Sequence, residues 1–152
     1  MVEEGSPFPS FSLKDQNGTT VTHEATKGRW SVFYFYPKDD TPGCTKEACE
    51  FRDNLEIQQH ATVFGVSPDG ESSHSKFAKK HNLNFTLLAD EANQLSEAVG
   101  VWVEKSMYGK KYMGVERSTF LVDADGIVRR VWRKVKPEGH AFEVLEALKQ
   151  LR

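Results

Sequence analysis

The chain has little cysteine, no long apolar run and no excess of charge, and each shortage excludes something. Among 152 residues there are two cysteines, Cys44 and Cys49. Two are too few for the disulfide framework of a small secreted scaffold. They also fall short of a zinc or iron–sulfur centre, which takes about four ligands. None of the five histidines lies near the pair in sequence, so no metal is expected. No segment approaches the roughly 20 apolar residues that span a bilayer. The start, Met1-Val2-Glu3-Glu4-Gly5, has neither the positive charge nor the apolar stretch of a secretion signal. A cytoplasmic protein without membrane contact is therefore expected. Lysine and arginine number 20 and aspartate and glutamate 22, a net charge of −2. That balance creates no global field toward nucleic acid. Repeats, low-complexity tracts and long linkers are also missing, so residues 1–152 are expected to form one domain. Folding at this length buries roughly 68–70% of the unfolded surface, enough for a core without staples.

What is present reads as alternating strands and helices. Phe8 to Leu13 is a short extended segment, Gln16-Asn17-Gly18 a turn, and Thr19 to Thr22 β-branched, which together predict an N-terminal β-hairpin. Trp30 to Tyr36, WSVFYFY, has the nearly continuous apolar character of a central strand buried on both faces. The turn-rich segment Pro37 to Gly43 follows. A helix is expected from about Cys44 to His60, with Ala48, Phe51 and Leu55 at helical spacing. Thr41 would be its N-cap, and Pro42 fits the first position, where its missing N–H costs nothing. Next come a strand (Ala61 to Val66), a helix (Ser72 to His81, with Phe77 and Ala78 inward), a strand (Phe85 to Leu88) and a short helix (Ala92 to Val99). Lys105 to Tyr112 reads as a mobile loop. Ser118 to Val122 and Ile127 to Trp132 form a hairpin across Asp123-Ala124-Asp125-Gly126, and Glu138 to Leu151 is the last helix. Parallel crossovers followed by an antiparallel hairpin and a helix predict a mixed α/β sheet with helices on both faces, the thioredoxin-like arrangement.

The chemistry is concentrated in Pro37 to Asp53, PKDDTPGCTKEACEFRD. Cys44 falls after a buried strand and in the first turn of a helix. Unpaired backbone N–H groups there favour an anion. A thiolate is thus stabilised, and the thiol is expected to ionise more easily than a free cysteine. A buried filler cysteine would more naturally sit in the apolar strand than between Gly43 and Thr45. Cys49 follows five residues later. On a helix that spacing rotates the two side chains about 140° apart and separates their Cα atoms by roughly 8–9 Å. A disulfide needs Cα atoms closer than about 7 Å. If the two bond, the first turns of the helix must unwind. A Cys-x-x-Cys dithiol needs no such rearrangement, which argues against a general disulfide oxidoreductase. A slow redox sensor or holdase stays open as an alternative of another class.

Here the sequence resembles a known family. Pro37-x-x-x-Thr41-x-x-Cys44 is similar to the peroxidatic signature of peroxiredoxins. The longer string from Thr41 to Cys49 resembles the bacterioferritin comigratory protein group, also called peroxiredoxin Q. Glu116-Arg117-Ser118-Thr119-Phe120-Leu121-Val122-Asp123 extends the likeness over most of the chain. The resemblance implies a thioredoxin-like fold and a thiol peroxidase acting on hydrogen peroxide and organic hydroperoxides. It implies Cys44 as the peroxidatic cysteine, Thr41 and Arg117 as groups that bind substrate oxygen, and Cys49 as the resolving cysteine. It makes Pro37 a pocket-shaping residue, Pro42 an added shield, and Glu47 the carboxylate that holds Arg117. It implies thioredoxin or a similar dithiol as reductant, no bound cofactor, and a monomer. Without the resemblance, Arg117 would read as a surface residue at the start of a strand.

Other features have plainer readings. The basic run Arg129 to Lys136 reads as a solvated strand edge rather than a nucleic-acid surface. Trp102 suits core packing at least as well as a pocket wall. Asn17-Gly18-Thr19 and Asn84-Phe85-Thr86 match the glycosylation pattern by chance if the chain is not secreted.

Overall fold

A computed structural model describes residues 2–152. In chain order the elements are β1 (Ser12–Asp15), β2 (Thr20–Thr22), β3 (Trp30–Phe35), α1 (Pro42–Asp53), α2 (Leu55–His60), β4 (Ala61–Ser67), α3 (Glu71–His81), β5 (Thr86–Ala89), α4 (Gln94–Val99), β6 (Trp102–Met107), β7 (Lys110–Val115), β8 (Ser118–Val122), β9 (Val128–Trp132) and α5 (His140–Leu151). Seven strands form one mixed sheet in the order β2-β1-β5-β4-β3-β8-β9. The aromatic run is near its middle, with β4 parallel on one side and β8 antiparallel on the other.

The sheet separates two apolar layers. Side chains alternate along a strand, so Val32, Tyr34 and Tyr36 face one layer and Phe33 and Phe35 the other. Both crossovers, β3 to β4 and β4 to β5, step in the same direction along the sheet. Right-handed connections then put their helices on one face. Phe51 of α1, Ile57 of α2 and Phe77 of α3 pack there with Val144 and Leu148 of α5. The opposite face is covered by Phe8, Phe11, and Leu95 and Val99 of α4. Phe8 stacks on Phe33 with ring centroids 4.2 Å apart. Where β4 passes Tyr34, only glycine fits: a Cβ on Gly65 would lie 2.8 Å from the Tyr34 hydroxyl oxygen and 2.9 Å from Leu87 Cδ2.

Three expectations are corrected. The extended segment at Phe8 to Leu13 is not a strand over Phe8 to Phe11. β1 starts at Ser12, and the preceding phenylalanines serve as a lid on the sheet. The long helix after Pro37 to Gly43 starts at Pro42 and is broken at Asn54. The Asn54 side chain accepts from the Ile57 N–H at 3.1 Å and so caps a second helix. Asparagine competes with the helix ladder in this way, and apolar spacing does not reveal it. Lys105 to Tyr112 is not a loop but the outer half of a β6–β7 hairpin, paired from Trp102↔Val115 to Met107↔Lys110. Tyr108 and Gly109, with φ of 52° and 78°, make the tight turn. The first half of the basic run lies on β9, an edge strand, where the Arg129 guanidinium covers Trp30 and that of Arg130 covers Trp132. Trp102 packs beside the second apolar layer. No helix among the described residues is long and apolar enough to cross a membrane.

Candidate active site

The end of β3 and the start of β8 create the site. The two strands are antiparallel with Phe35 opposite Ser118. Residue 117 therefore lies just past the C-terminal end of β3, where the chain leaves the sheet for α1. Carboxyl ends of strands in open α/β sheets are where ligands bind. Cys44, in the first turn of α1, is 1% exposed. Its Sγ accepts a hydrogen bond from Arg117 Nη2 at 3.2 Å. Arg117 Nη1 donates to Glu47 Oε1 at 2.7 Å. Glu47 is one helical turn after Cys44, so sulfur and carboxylate share a helix face and the guanidinium bridges them.

Burial governs the charges here. Glu47 is almost wholly buried and its Oε2 has no partner. That burial, opposed by the Arg117 guanidinium, pushes its carboxyl up to about 7. Burial also pulls on Arg117, but Glu47 and Cys44 outweigh it and raise the guanidinium above its ordinary value. Between about pH 4.5 and 7 the folded chain binds more protons at Glu47 than the unfolded chain does. Its contribution to stability is thus complete below about 4.5 and is lost as pH rises through 7. Denaturant titrations across that window should show a downward slope that Glu47→Gln flattens.

The other expected residues are also near the loop. Thr41 occupies the N-cap position, but its side chain makes no capping bond. Its hydroxyl instead donates to the Lys38 carbonyl at 3.0 Å, leaving its lone pairs free for another donor. Pro42 is the first residue of α1, as expected, and is exposed; Pro37 is half-buried. The N–H groups of Gly43 and Cys44 precede the first helical donor, Thr45 N–H, which reaches the Thr41 carbonyl at 2.8 Å. Cys49 is half-buried in the same helix, and both cysteines are free thiols. A groove of about 590 Å³ lined by Pro42, Gly43, Lys46, Lys136, Pro137 and Glu138 runs along the first turn of α1.

Two groups beside the motif were not expected. His74, remote in sequence, lies against Asp39 with Nδ1 and Oδ2 2.6 Å apart, and His81 lies 3.2 Å from Asp40. The available signal was a histidine three residues before Phe77, on the apolar side of α3. Lys105, on β6, is half-buried, and burial together with the Arg117 charge pulls its ammonium down. Among the described residues no cluster of histidine, cysteine and carboxylate side chains is arranged to hold a metal ion.

Comparison with known proteins agrees with this geometry. The AhpC/TSA family matches residues 5–131. Peroxiredoxin Bcp of Bacillus subtilis is 49% identical over 152 residues, covering 99% of this chain and 97% of that protein. Peroxiredoxin Bcp of Escherichia coli is 45% identical over 151 residues, 98% and 97% of the two chains. A cysteine-to-serine variant of Xanthomonas campestris peroxiredoxin Q superposes with a TM-score of 0.91 at 44% identity, covering 100% of this chain and 98% of that one. The Xanthomonas campestris bacterioferritin comigratory protein, studied for alkyl peroxide reduction in trapped intermediate and ligand complexes, gives 0.90 at 44% identity, covering 99% and 97%. A thioredoxin-like sheet carrying a buried thiol under a guanidinium defines an enzyme of the thiol peroxidase class, which uses a peroxide as substrate and a thiol reductant. The chain belongs to the AhpC/TSA family and, within it, groups with the bacterioferritin comigratory and peroxiredoxin Q proteins.

Proposed function

We propose that Cys44 is the peroxidatic nucleophile and Cys49 the resolving thiol of a one-domain, monomeric peroxidase of the cytoplasm. The contact that supports this most is Arg117 Nη2 to Cys44 Sγ at 3.2 Å. A guanidinium donor favours the thiolate, which is the reactive form. The thiolate attacks one oxygen of hydrogen peroxide or an organic hydroperoxide, and the O–O bond breaks. The leaving oxygen departs as hydroxide or alkoxide and takes a proton to become water or an alcohol. Arg117 and the free N–H groups of Gly43 and Cys44 are the fixed donors for the charge that grows on that oxygen. Thr41 offers lone pairs to the peroxide O–H. Glu47 keeps the Arg117 fork in its plane, and Pro37 walls the pocket.

Cys44 is left as a sulfenic acid. The Cys49 thiol attacks its sulfur, water leaves, and a disulfide forms. Both cysteines lie in α1, so this bond requires unwinding of the helix. A dithiol protein such as thioredoxin then reduces the disulfide by exchange. Cys49→Ser is the discriminating variant. Thioredoxin-linked turnover should stop, while one sulfenic acid per chain still forms at the normal rate. Normal turnover in that variant would assign resolution to another thiol.

A further inference from the structure

Under the reading above, on which this inference rests, the segment Pro37–Gly43 has two tasks. It must hold Cys44 against Arg117 in the reduced enzyme and allow α1 to unwind when Cys49 closes. Its two halves are held in different ways. The upstream half is anchored by a buried carboxylate. Asp39 accepts from the Tyr36 hydroxyl at 2.5 Å and from Ser73 Oγ at 2.7 Å, and meets His74 Nδ1 at 2.6 Å. The side chains of His74 and Asp39 are 0% and 4% exposed. His74 Nε2 lies 3.0 Å from the Leu88 carbonyl. A carbonyl only accepts, so Nε2 carries a hydrogen and ties the pair to β5. The Asp39 N–H donates to Asp69 Oδ2 at 2.6 Å. One residue later Asp40, with φ at 58°, reaches Lys80 at 2.8 Å and His81 at 3.2 Å.

The downstream half has far less. From Thr41 to Gly43 the one side-chain bond is Thr41 Oγ1 to the Lys38 carbonyl. The helix ladder begins only with Thr45, and Pro42 contributes no donor. A buried carboxylate–imidazole contact is a poor source of net stability, because desolvation offsets attraction, and the best-attested use of such buried polar contacts is to specify one arrangement. Neither Asp39 nor His74 is hydrogen-bonded to Cys44, Arg117 or Glu47, so any influence on the sulfur passes through the backbone.

We propose that Asp39 and His74 are positioning residues for the peroxidase reaction. They hold the loop through residue 40, confine unwinding to residue 41 onward, and return Cys44 to one place under Arg117 after each reduction. The chain is thereby hinged between Asp40 and Thr41.

Amide hydrogen exchange on the full chain, in its reduced and disulfide forms, tests this, with peptide mapping to locate the bond. Residues 36–40 should keep the same protection in both forms. Residues 45–49 should exchange at least about tenfold faster in the disulfide form, as a locally opened helix does. Stopped-flow oxidation of Cys44 supplies a second reading that does not depend on which thiol resolves. His74→Gln, folded by circular dichroism, should slow that step about tenfold, the scale of a small misplacement of reacting groups, without slowing disulfide closure. Asp39→Asn can still accept from Tyr36 and hydrogen-bond His74, and should stay within about threefold of the wild-type rate. Protection lost from residues 36–40 together with the helix would overturn the hinge. So would a folded His74→Gln variant that oxidises at the wild-type rate. A disulfide map without the Cys44–Cys49 bond counts against the resolving role of Cys49 instead, and the His74→Gln rate then decides the positioning role alone.

Discussion

Cys44→Ser is expected to reduce peroxide consumption by at least about 10⁴-fold, the scale on which loss of a catalytic nucleophile acts. Serine fits the same buried space and can still accept from Arg117, so the fold and the guanidinium should persist. What disappears is a nucleophile with an accessible anionic form. A serine hydroxyl stays protonated near neutral pH, and no neighbouring group here acts on it as histidine does in a hydrolase. The measurement is hydrogen peroxide consumption with excess thioredoxin and its reductase, alongside a melting curve. An unchanged melt with lost activity assigns the effect to chemistry. Substantial remaining activity would move the reaction away from this sulfur.

Arg117→Leu should have the second largest effect, and it divides into two parts. Removing one fixed donor from a developing oxyanion costs about 10²–10³ in rate. Removing it here also leaves the Glu47 carboxyl buried without its partner at 2.7 Å, a cost felt most at alkaline pH, where that carboxyl must ionise. Breaking one side of a buried pair typically destabilises by about 3–5 kcal/mol. The two parts can be separated. Adding Glu47→Gln to Arg117→Leu should recover much of the stability and none of the rate. Arg117→Lys keeps the charge but loses the fork that meets sulfur and carboxylate together, so it should fall between wild type and Arg117→Leu in rate. A double variant that regains activity along with stability would make Arg117 a structural residue only.

The parts of this molecule that were legible in its sequence are the local ones. Trp30 to Tyr36 reads as a buried central strand because its nearly continuous apolar and aromatic side chains need cover on both faces. The anion-favouring position of Cys44 follows from a turn, a proline and a helix start that are contiguous. The pairing of Glu47 with Arg117 was not legible in that way and came with the resemblance. Arg117 was a similar case. A lone arginine before a strand carries no signal of its own, and only the resemblance pointed to it. Its place depends on the Phe35↔Ser118 register, which joins segments more than 80 residues apart. The Asp39–His74 contact was hidden for the same reason, as it needs the β4–α3 crossover to bring the two together. The β6–β7 hairpin was missed because its strands are exposed and lysine-rich, and its turn uses Tyr108-Gly109 where Asn-Gly would have been recognised. Asn54 was missed because apolar spacing continues across the break into Leu55 and Ile57.

On the proposed mechanism, a sulfur anion at position 44, held by Arg117, breaks the O–O bond. The most direct test is the second-order rate of the reduced protein with hydrogen peroxide, followed by stopped flow in wild type and Cys49→Ser. Both should react orders of magnitude faster than free cysteine at the same pH, and at the same rate as each other. A rate no greater than that of free cysteine, or one that falls when Cys49 is replaced, would contradict it.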